Sequence, residues 1–402
     1  MKSFFFVVPP LAGHTNPTVS VGRALSARGH RVAWLGHAQA IRGLLDENAE
    51  LLPLDDADSS RFFAELLEKG RGLRGLSSLQ FLWQEMLIPL ARRMLPRVTA
   101  ILERQKPDVV IVDQQALAGG LSARRLSLRW ATFSTTPAAL LDPFAALPKV
   151  GAWKAEQLES LQREAGLSPV AEPDLSPELV VVFSIQELVA RAASPFDELA
   201  GTVPPMGGAR SWPPRFRFVG PAFQDRPERT RFPWEKLRER PRILVSLGTV
   251  NASDGEAFYR ALVEAMRDVP VEVIVAAPPR CVPDAPDRFV VQDRVPQLAL
   301  MPHVDLVVCH AGHNTVCEAL AHGVPLVLAP IRDDQSMVAE PVARAGAAVR
   351  VRYGRLSSQA LRQAITTVLG DHQFRTNAEG IGRSLRDAGG AHAAATLLEA
   401  LA

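Results

Sequence analysis

The chain has 402 residues, 47% of them hydrophobic, and its 45 basic and 43 acidic side chains nearly cancel to a formal charge of +2. That length predicts two domains of roughly 150 to 220 residues each, because one hydrophobic core rarely organises more. The charge balance excludes the broad basic footprint of a nucleic-acid binder, and three cysteines (Cys281, Cys309, Cys317) exclude a disulfide framework, so we expect a cytoplasmic protein with small-molecule partners.

Residues 3 to 8, SFFFVV, read as a buried parallel strand. The preceding lysine gives the run a likeness to a secretory signal, but it is short and Pro9 and Pro10 interrupt it. No stretch reaches the roughly 18 uninterrupted apolar residues of a membrane span, which leaves peripheral membrane contact as the only kind open. The chain passes through PPLAGHTN into a helix expected from Pro17, with Asn16 as N-cap and Gly29 as stop, before a strand at 31 to 35. Further strands are expected at 108 to 112, 129 to 133 and 179 to 185, with a long apolar helical pattern near 79 to 103. Such alternation predicts a doubly wound parallel sheet. A proline-rich, charged stretch from about 204 to 242 breaks the pattern, and a second series of strands opens with RILVSLG at 242 to 248, followed by VEVIVAA, RFVVQ, DLVVC and PLVLAP. The expected organisation is an N-terminal domain over 1–220, a connection over 221–241, a C-terminal domain over 242–380 and a final helical piece over 381–402.

Candidate chemistry gathers at the C-terminal ends of these strands, where open α/β sheets bind ligands. After the strand at 305 to 309 come His310, Gly312 and a helix opening at about Asn314 and Thr315. A helix N-terminus carries unpaired N–H groups and partial positive charge, so this turn is suited to a diphosphate. Glu318, one turn on, suits the vicinal hydroxyls of a ribose, and Asp334 with Gln335 suits sugar hydroxyls. At the other end of the chain, His14 follows the first strand and Asp113 follows DVVIV. A histidine takes a proton from an alcohol near neutral pH, and a carboxylate on its other nitrogen fixes the tautomer, so the two form a candidate general-base dyad.

The stretch 305 to 335 resembles the donor-binding signature of family 1 glycosyltransferases, the UDP-glycosyltransferases: histidine, glycine, asparagine and serine or threonine, glutamate, a GVP turn, and an acidic residue with glutamine. The resemblance implies that His310, Gly312, Asn314 and Thr315 address the diphosphate, Glu318 the ribose, and Asp334 and Gln335 the sugar. His313 stands where plant members carry tryptophan, a position that resembles a backbone contact. QDRVPQ at 292 to 297 is similar to the family's base-covering segment, with Arg294 in place of its tryptophan, Val295 toward the base edge and Gln297 toward base or ribose. SLGT at 246 to 249 resembles the family's first C-terminal strand turn, which implies that Ser246 and Thr249 face diphosphate or sugar. GHTNP and VDQQALAGG resemble the turns that carry the family's catalytic histidine and aspartate, here His14 and Asp113.

The likeness implies a GT-B fold, two Rossmann-like doubly wound parallel-sheet domains facing a cleft, with the last helix folding back on the first domain. It also implies an inverting, metal-independent hexose transfer from a nucleotide sugar, with UDP-glucose as the expected donor and no resident cofactor. The acceptor is expected to be a small apolar molecule with a hydroxyl, such as a polyketide, macrolide, carotenoid or phenolic natural product, with bacterial natural-product and carotenoid glucosyltransferases as the nearest likeness. Phe81, Trp83, Met86 and Leu87 are the candidate lining of its pocket. A noncatalytic nucleotide-sugar-binding protein and a GT-B epimerase are the competing readings, and His14 with Asp113 favours transfer. DDAD at 55 to 58 lies in a polar loop after LLPL, and the spacing of His310, His313 and His322 lacks a convincing ligand set, so no metal site is expected from either.

Overall fold

Alternate side chains of SFFFV point to opposite faces of a sheet, and both faces are covered. Phe4 and Phe6 join one buried cluster with Val21, Leu25 and Leu398, while Phe5 and Val7 join another with Leu90, Met94 and Val98. The computed structural model describes residues 1–70, 72–73, 75–136, 140, 147–190, 212–223, 226, 228, 230–237, 241–248, 255–332 and 334–402. The chain divides into two units, Met1–Arg226 with Ala388–Ala402, and Pro227–Asp387.

The first unit runs β1 (Ser3–Val7), α1 (Ala12–Ala27), β2 (Arg31–Gly36), α2 (Ala38–Ile41), β3 (Glu50–Pro53), α3 (Ser59–Gly70), α4 (Gly75–Phe81), α5 (Ile88–Gln105), β4 (Val109–Asp113), α6 (Leu117–Arg125), β5 (Trp130–Ser134), α7 (Pro148–Glu164), β6 (Leu179–Val182), α8 (Gln186–Ala190) and β7 (Phe216–Phe218). Its seven strands are parallel in the order β3-β2-β1-β4-β5-β6-β7. The order reverses between β1 and β4, the place where a doubly wound sheet opens a ligand crevice.

The second unit runs β8 (Arg242–Ser246), α9 (Glu256–Ala265), β9 (Glu272–Ala276), β10 (Phe289–Gln292), α10 (Gln297–Leu300), β11 (Leu306–Cys309), α11 (His313–Ala321), β12 (Leu326–Leu328), α12 (Gln335–Arg344), β13 (Ala348–Arg350), α13 (Ser358–Gly370) and α14 (His372–Asp387). Six parallel strands lie in the order β10-β9-β8-β11-β12-β13, so the reversal falls between β8 and β11. The last helix, α15 (Gly390–Leu401), belongs to the first unit: Ala391, Ala394, Ala395 and Leu398 are buried with Phe4, Phe6 and Leu25, and Glu399 binds Arg28 and His30. Among the described residues no helix is long and apolar enough to cross a membrane.

Three local expectations are corrected. Helix α1 starts at Ala12, not near Pro17: the Leu11 carbonyl accepts from the N–H groups of His14 and Thr15, and Pro17 lies inside the helix. Proline lacks one donor there, yet eight of the nine residues over 17 to 25 are buried, all but Arg23, and that packing outweighs the local cost. The proline-rich stretch from about 204 to 242, expected to break the strand pattern, contains a paired strand, β7, hydrogen-bonded to β6. Finally, the apolar helical pattern near 79 to 103 is broken by a π-helical segment, Leu82–Leu87, in which the Ile88 N–H reaches the Trp83 carbonyl. Pro89 follows directly, and its ring clashes with an α-helical carbonyl four residues back, a steric cause for the widened turn.

Candidate active site

In the first unit the switch between β1 and β4 brings His14 and Asp113 together. Asp113 ends β4 with its side chain fully buried, and His14 lies in the first turn of α1 with its side chain 15% exposed. The His14 Nδ1 is 2.9 Å from each Asp113 carboxylate oxygen. An ionised carboxylate only accepts, so the Nδ1 carries the proton and the Nε2 lone pair is left as base. Asp113 Oδ1 also accepts from the Gln115 N–H at 2.9 Å.

The sequence reading missed Thr135, whose Oγ1 is 2.8 Å from both Asp113 Oδ2 and His14 Nδ1. It stands just past the end of β5, the strand beside β4, and that position was the available signal. Of the four candidate acceptor residues, Trp83 and Leu87 are packed in a core with Ile88, Leu121, Leu158 and Leu161, which accounts for both without a ligand. Phe81 and Met86 are half-buried.

In the second unit the switch between β8 and β11 carries the other cluster. Ser246 ends β8, and its carbonyl lies 3.4 Å from the His310 Nδ1. Ala311 takes a left-handed φ of 65° while fully buried, a strained turn that lets the chain double back from β11 into α11. Gly312 is the N-cap residue, so His313, Asn314 and Thr315 form the first turn and the helix opens one residue earlier than expected. Glu318 is 2% exposed, and Gln297 at the start of α10 donates to it at 2.6 Å. His313 folds along its own helix toward the Cys317 thiol, 3.6 Å from Nε2. Arg294 is exposed and Val295 half-buried on the loop between β10 and α10, and Thr249 lies outside the described residues.

Asp334 and Gln335 sit at the start of α12. Gln335 differs from expectation: its Oε1 accepts from the N–H groups of Ile331 (2.8 Å) and Arg332 (3.1 Å), so toward a ligand its amide donates and does not accept. In the loop DDAD, Asp55 caps the Ala38 N–H and Asp56 pairs with Arg93, while Asp58 pairs with Arg61. The His322 Nδ1 faces its own helix at the Glu318 carbonyl. Among the described residues no group of three or more His, Cys, Asp or Glu side chains is assembled to hold a metal.

Burial pushes the His310 imidazole down to about 4, and Asp334, with the opposite pull, and Arg332 are the charges it feels. His37 in the first unit is lowered by burial as well, against the pull of Asp55 and Asp56. Both rings are neutral at pH 7, whereas unfolded histidines titrate near 6.5. The unfolded chain therefore takes up protons first as acid is added, and stability present above pH 6.5 is lost as the pH falls toward 4. For His310 the loss is expected to approach about 3 kcal/mol. His310→Gln should flatten the dependence, checked by denaturation midpoints at pH 7 and pH 4.5; an equally steep fall in the variant would count against this origin.

The family model described as UDP-glucoronosyl and UDP-glucosyl transferase matches residues 238–388. The 4'-demethylrebeccamycin synthase of Lentzea aerocolonigenes is 30% identical over 394 residues, spanning 92% of this chain and 92% of that protein. The zeaxanthin glucosyltransferase of Pseudescherichia vulneris is 28% identical over 418 residues, with 99% and 98% covered. Among solved structures, the glycotransferase of kitacinnamycin matches at a TM-score of 0.76 and 25% identity, covering 100% of this chain and 99% of that one. Two Rossmann-like parallel-sheet units make the GT-B fold, and the matched relatives make the protein a glycosyltransferase. The chain belongs to the UDP-glycosyltransferase family.

Proposed function

We propose that this enzyme transfers a hexose, with glucose from UDP-glucose as the preferred donor, to a hydroxyl of a small apolar acceptor such as a polyketide, macrolide, carotenoid or phenolic natural product. The observation that carries the reading is the His14–Asp113 pair, an imidazole whose Nδ1 is braced by a buried carboxylate so that Nε2 is the nitrogen to accept a proton. His14 deprotonates the acceptor hydroxyl, whose oxygen attacks the anomeric carbon in a single displacement that inverts it, and the nucleoside diphosphate leaves. The first turn of α11 stabilises the leaving anion through its N–H groups and dipole, so no metal is needed and EDTA leaves the rate unchanged. Glu318, held by Gln297, accepts from the ribose, and Ser246 faces the diphosphate or the sugar. The base lies against Arg294, Val295 and Gln297. The name of the zeaxanthin enzyme supports a glucosyl donor and an apolar acceptor, and the half-buried Phe81 and Met86 are the lining residues retained for the acceptor.

Sugar choice follows from one acceptor and one donor side by side, the Asp334 carboxylate and the Gln335 amide, which match neighbouring hydroxyls at positions 3 and 4. A deoxy sugar lacking one of them loses a hydrogen bond to the charged carboxylate, at a cost of about 1 to 3 kcal/mol. Donors are screened by thermal shift and acceptors by mass spectrometry, and UDP-glucose then competes with a nucleotide-activated 2,6-dideoxy sugar. UDP-glucose should win, and Asp334→Ala should erode its advantage. Equal or better use of the deoxy donor by the unmodified protein would defeat the assignment of Asp334 and Gln335.

A further inference from the structure

Thr135 has a place in the dyad that neither sequence spacing nor likeness to relatives assigned. Its hydroxyl is within 2.8 Å of two groups that make opposite demands. Asp113 Oδ2 only accepts, so the single hydroxyl proton points at the carboxylate, and Thr135 turns a lone pair toward His14 Nδ1. Three oxygens then surround that nitrogen at 2.8 to 2.9 Å, all of them acceptors toward it. An Nδ1 without a proton would face three lone-pair sets in a buried pocket, so the arrangement admits only the tautomer with the proton on Nδ1. The hydroxyl also stops the carboxylate from swinging: the Gln115 N–H fixes Oδ1, and Thr135 fixes Oδ2. Thr135 itself is 3% exposed, so water does not replace it readily.

We propose that Thr135 is a positioning residue that locks the Asp113 carboxylate and, through it, holds His14 in the tautomer whose Nε2 accepts the acceptor's proton. The inference rests on the reading of His14 as general base. A substitution of nearly equal shape, Thr135→Val, sets a methyl against Oδ2, and Thr135→Ser keeps the hydroxyl.

The full-length protein and both variants are compared for kcat, for KM of UDP-glucose, and for the ¹⁵N signals of the His14 ring. Thr135→Val should lower kcat about tenfold to a hundredfold, the range for losing a hydrogen bond to a buried charge. Its KM for the donor should stay unchanged, its His14 Nδ1 signal should move toward the unprotonated position, and Thr135→Ser should restore rate and signal. Wild-type kcat with an unmoved ring signal in Thr135→Val overturns the inference, as does a raised donor KM with an unmoved signal, which would mean that Thr135 touches the sugar. If Thr135→Val fails to fold, the unmodified protein still decides: a His14 proton found on Nε2 overturns it, and one found on Nδ1 with loss of rate not rescued in Thr135→Ser does too. His14→Ala separates the two readings. An inactive His14→Ala beside a fully active Thr135→Val defeats the role of Thr135 alone, whereas an active His14→Ala defeats the general-base reading and this inference with it.

Discussion

Replacing His14 with alanine is expected to slow transfer to a hydroxyl acceptor by about a hundredfold to ten-thousandfold, the usual consequence of losing a positioned general base. The imidazole is the group that joins a buried carboxylate to partly exposed surface: Nδ1 contacts Asp113 at 2.9 Å, and the side chain remains 15% exposed. Alanine leaves Asp113 accepting from the Thr135 hydroxyl and from the Gln115 N–H, so the carboxylate keeps its polar partners while the base is gone. Donor affinity should hardly change, because the side chains assigned to the nucleotide sugar belong to the other unit. Steady-state kcat with a hydroxyl acceptor, beside calorimetric titration with UDP-glucose, separates the two quantities. Turnover at the wild-type rate would end the reading of His14 as base.

Gly312→Ala is expected to weaken binding of UDP-glucose on the order of a hundredfold, although the backbone there takes an ordinary φ of −63°. The reason is steric. A Cβ on Gly312 would lie 2.6 Å from the His310 Nε2 and 2.7 Å from Cε1, so the ring must move. It has nowhere to go: a Cβ on Gly248 would also fall 2.6 Å from Cε1, which places both glycine backbones against the same imidazole. The ring is clamped between two positions without side chains, and any shift also disturbs the opening turn of α11. Losing one hydrogen bond to a charged diphosphate costs about 1.5 to 3 kcal/mol, which reaches roughly that factor. Calorimetric titration of the variant with UDP-glucose, with a melting curve as control for folding, measures the effect. Unchanged affinity would remove His310 from the donor turn.

The strands legible in the sequence are those covered on both faces. VVIVD, WATFS and LVVV are buried at every position, so they read as continuous apolar runs. Strands β3, β7 and β13 lie at or beside sheet edges, are three or four residues long and are partly exposed, which leaves neither a run nor a clean alternation to find. The start of α1 was misread because Asn16-Pro17 has the local chemistry of a helix opening, while burial of the residues beyond it decides the true boundary. His310, Gly312, Asn314, Thr315 and Glu318 stand in one strand-turn-helix, His14 follows β1 and Asp113 ends β4, placements that local sequence encodes without knowledge of the rest. Thr135 was not, since its role depends on the lateral order of β1, β4 and β5, a three-dimensional neighbourhood that one local stretch does not encode. The bonds at Gln335 Oε1 were hidden for a related reason: a side chain that folds back to its own preceding loop leaves no pattern in spacing.

The return of α15 to the first unit sets a timetable for synthesis. Residues Met1–Arg226 leave the ribosome early, but the face formed by Phe4, Phe6, Val21 and Leu25 waits for Ala391, Ala394, Ala395 and Leu398. All of Pro227–Asp387 is translated in between, an interval on the order of ten seconds at ordinary elongation rates. For that time the nascent N-terminal unit carries an uncovered apolar face, a natural client surface for a chaperone. A stop codon only a few residues before Ala391 would leave that face permanently open and should make the protein aggregate, with every residue of both polar clusters still present in the chain.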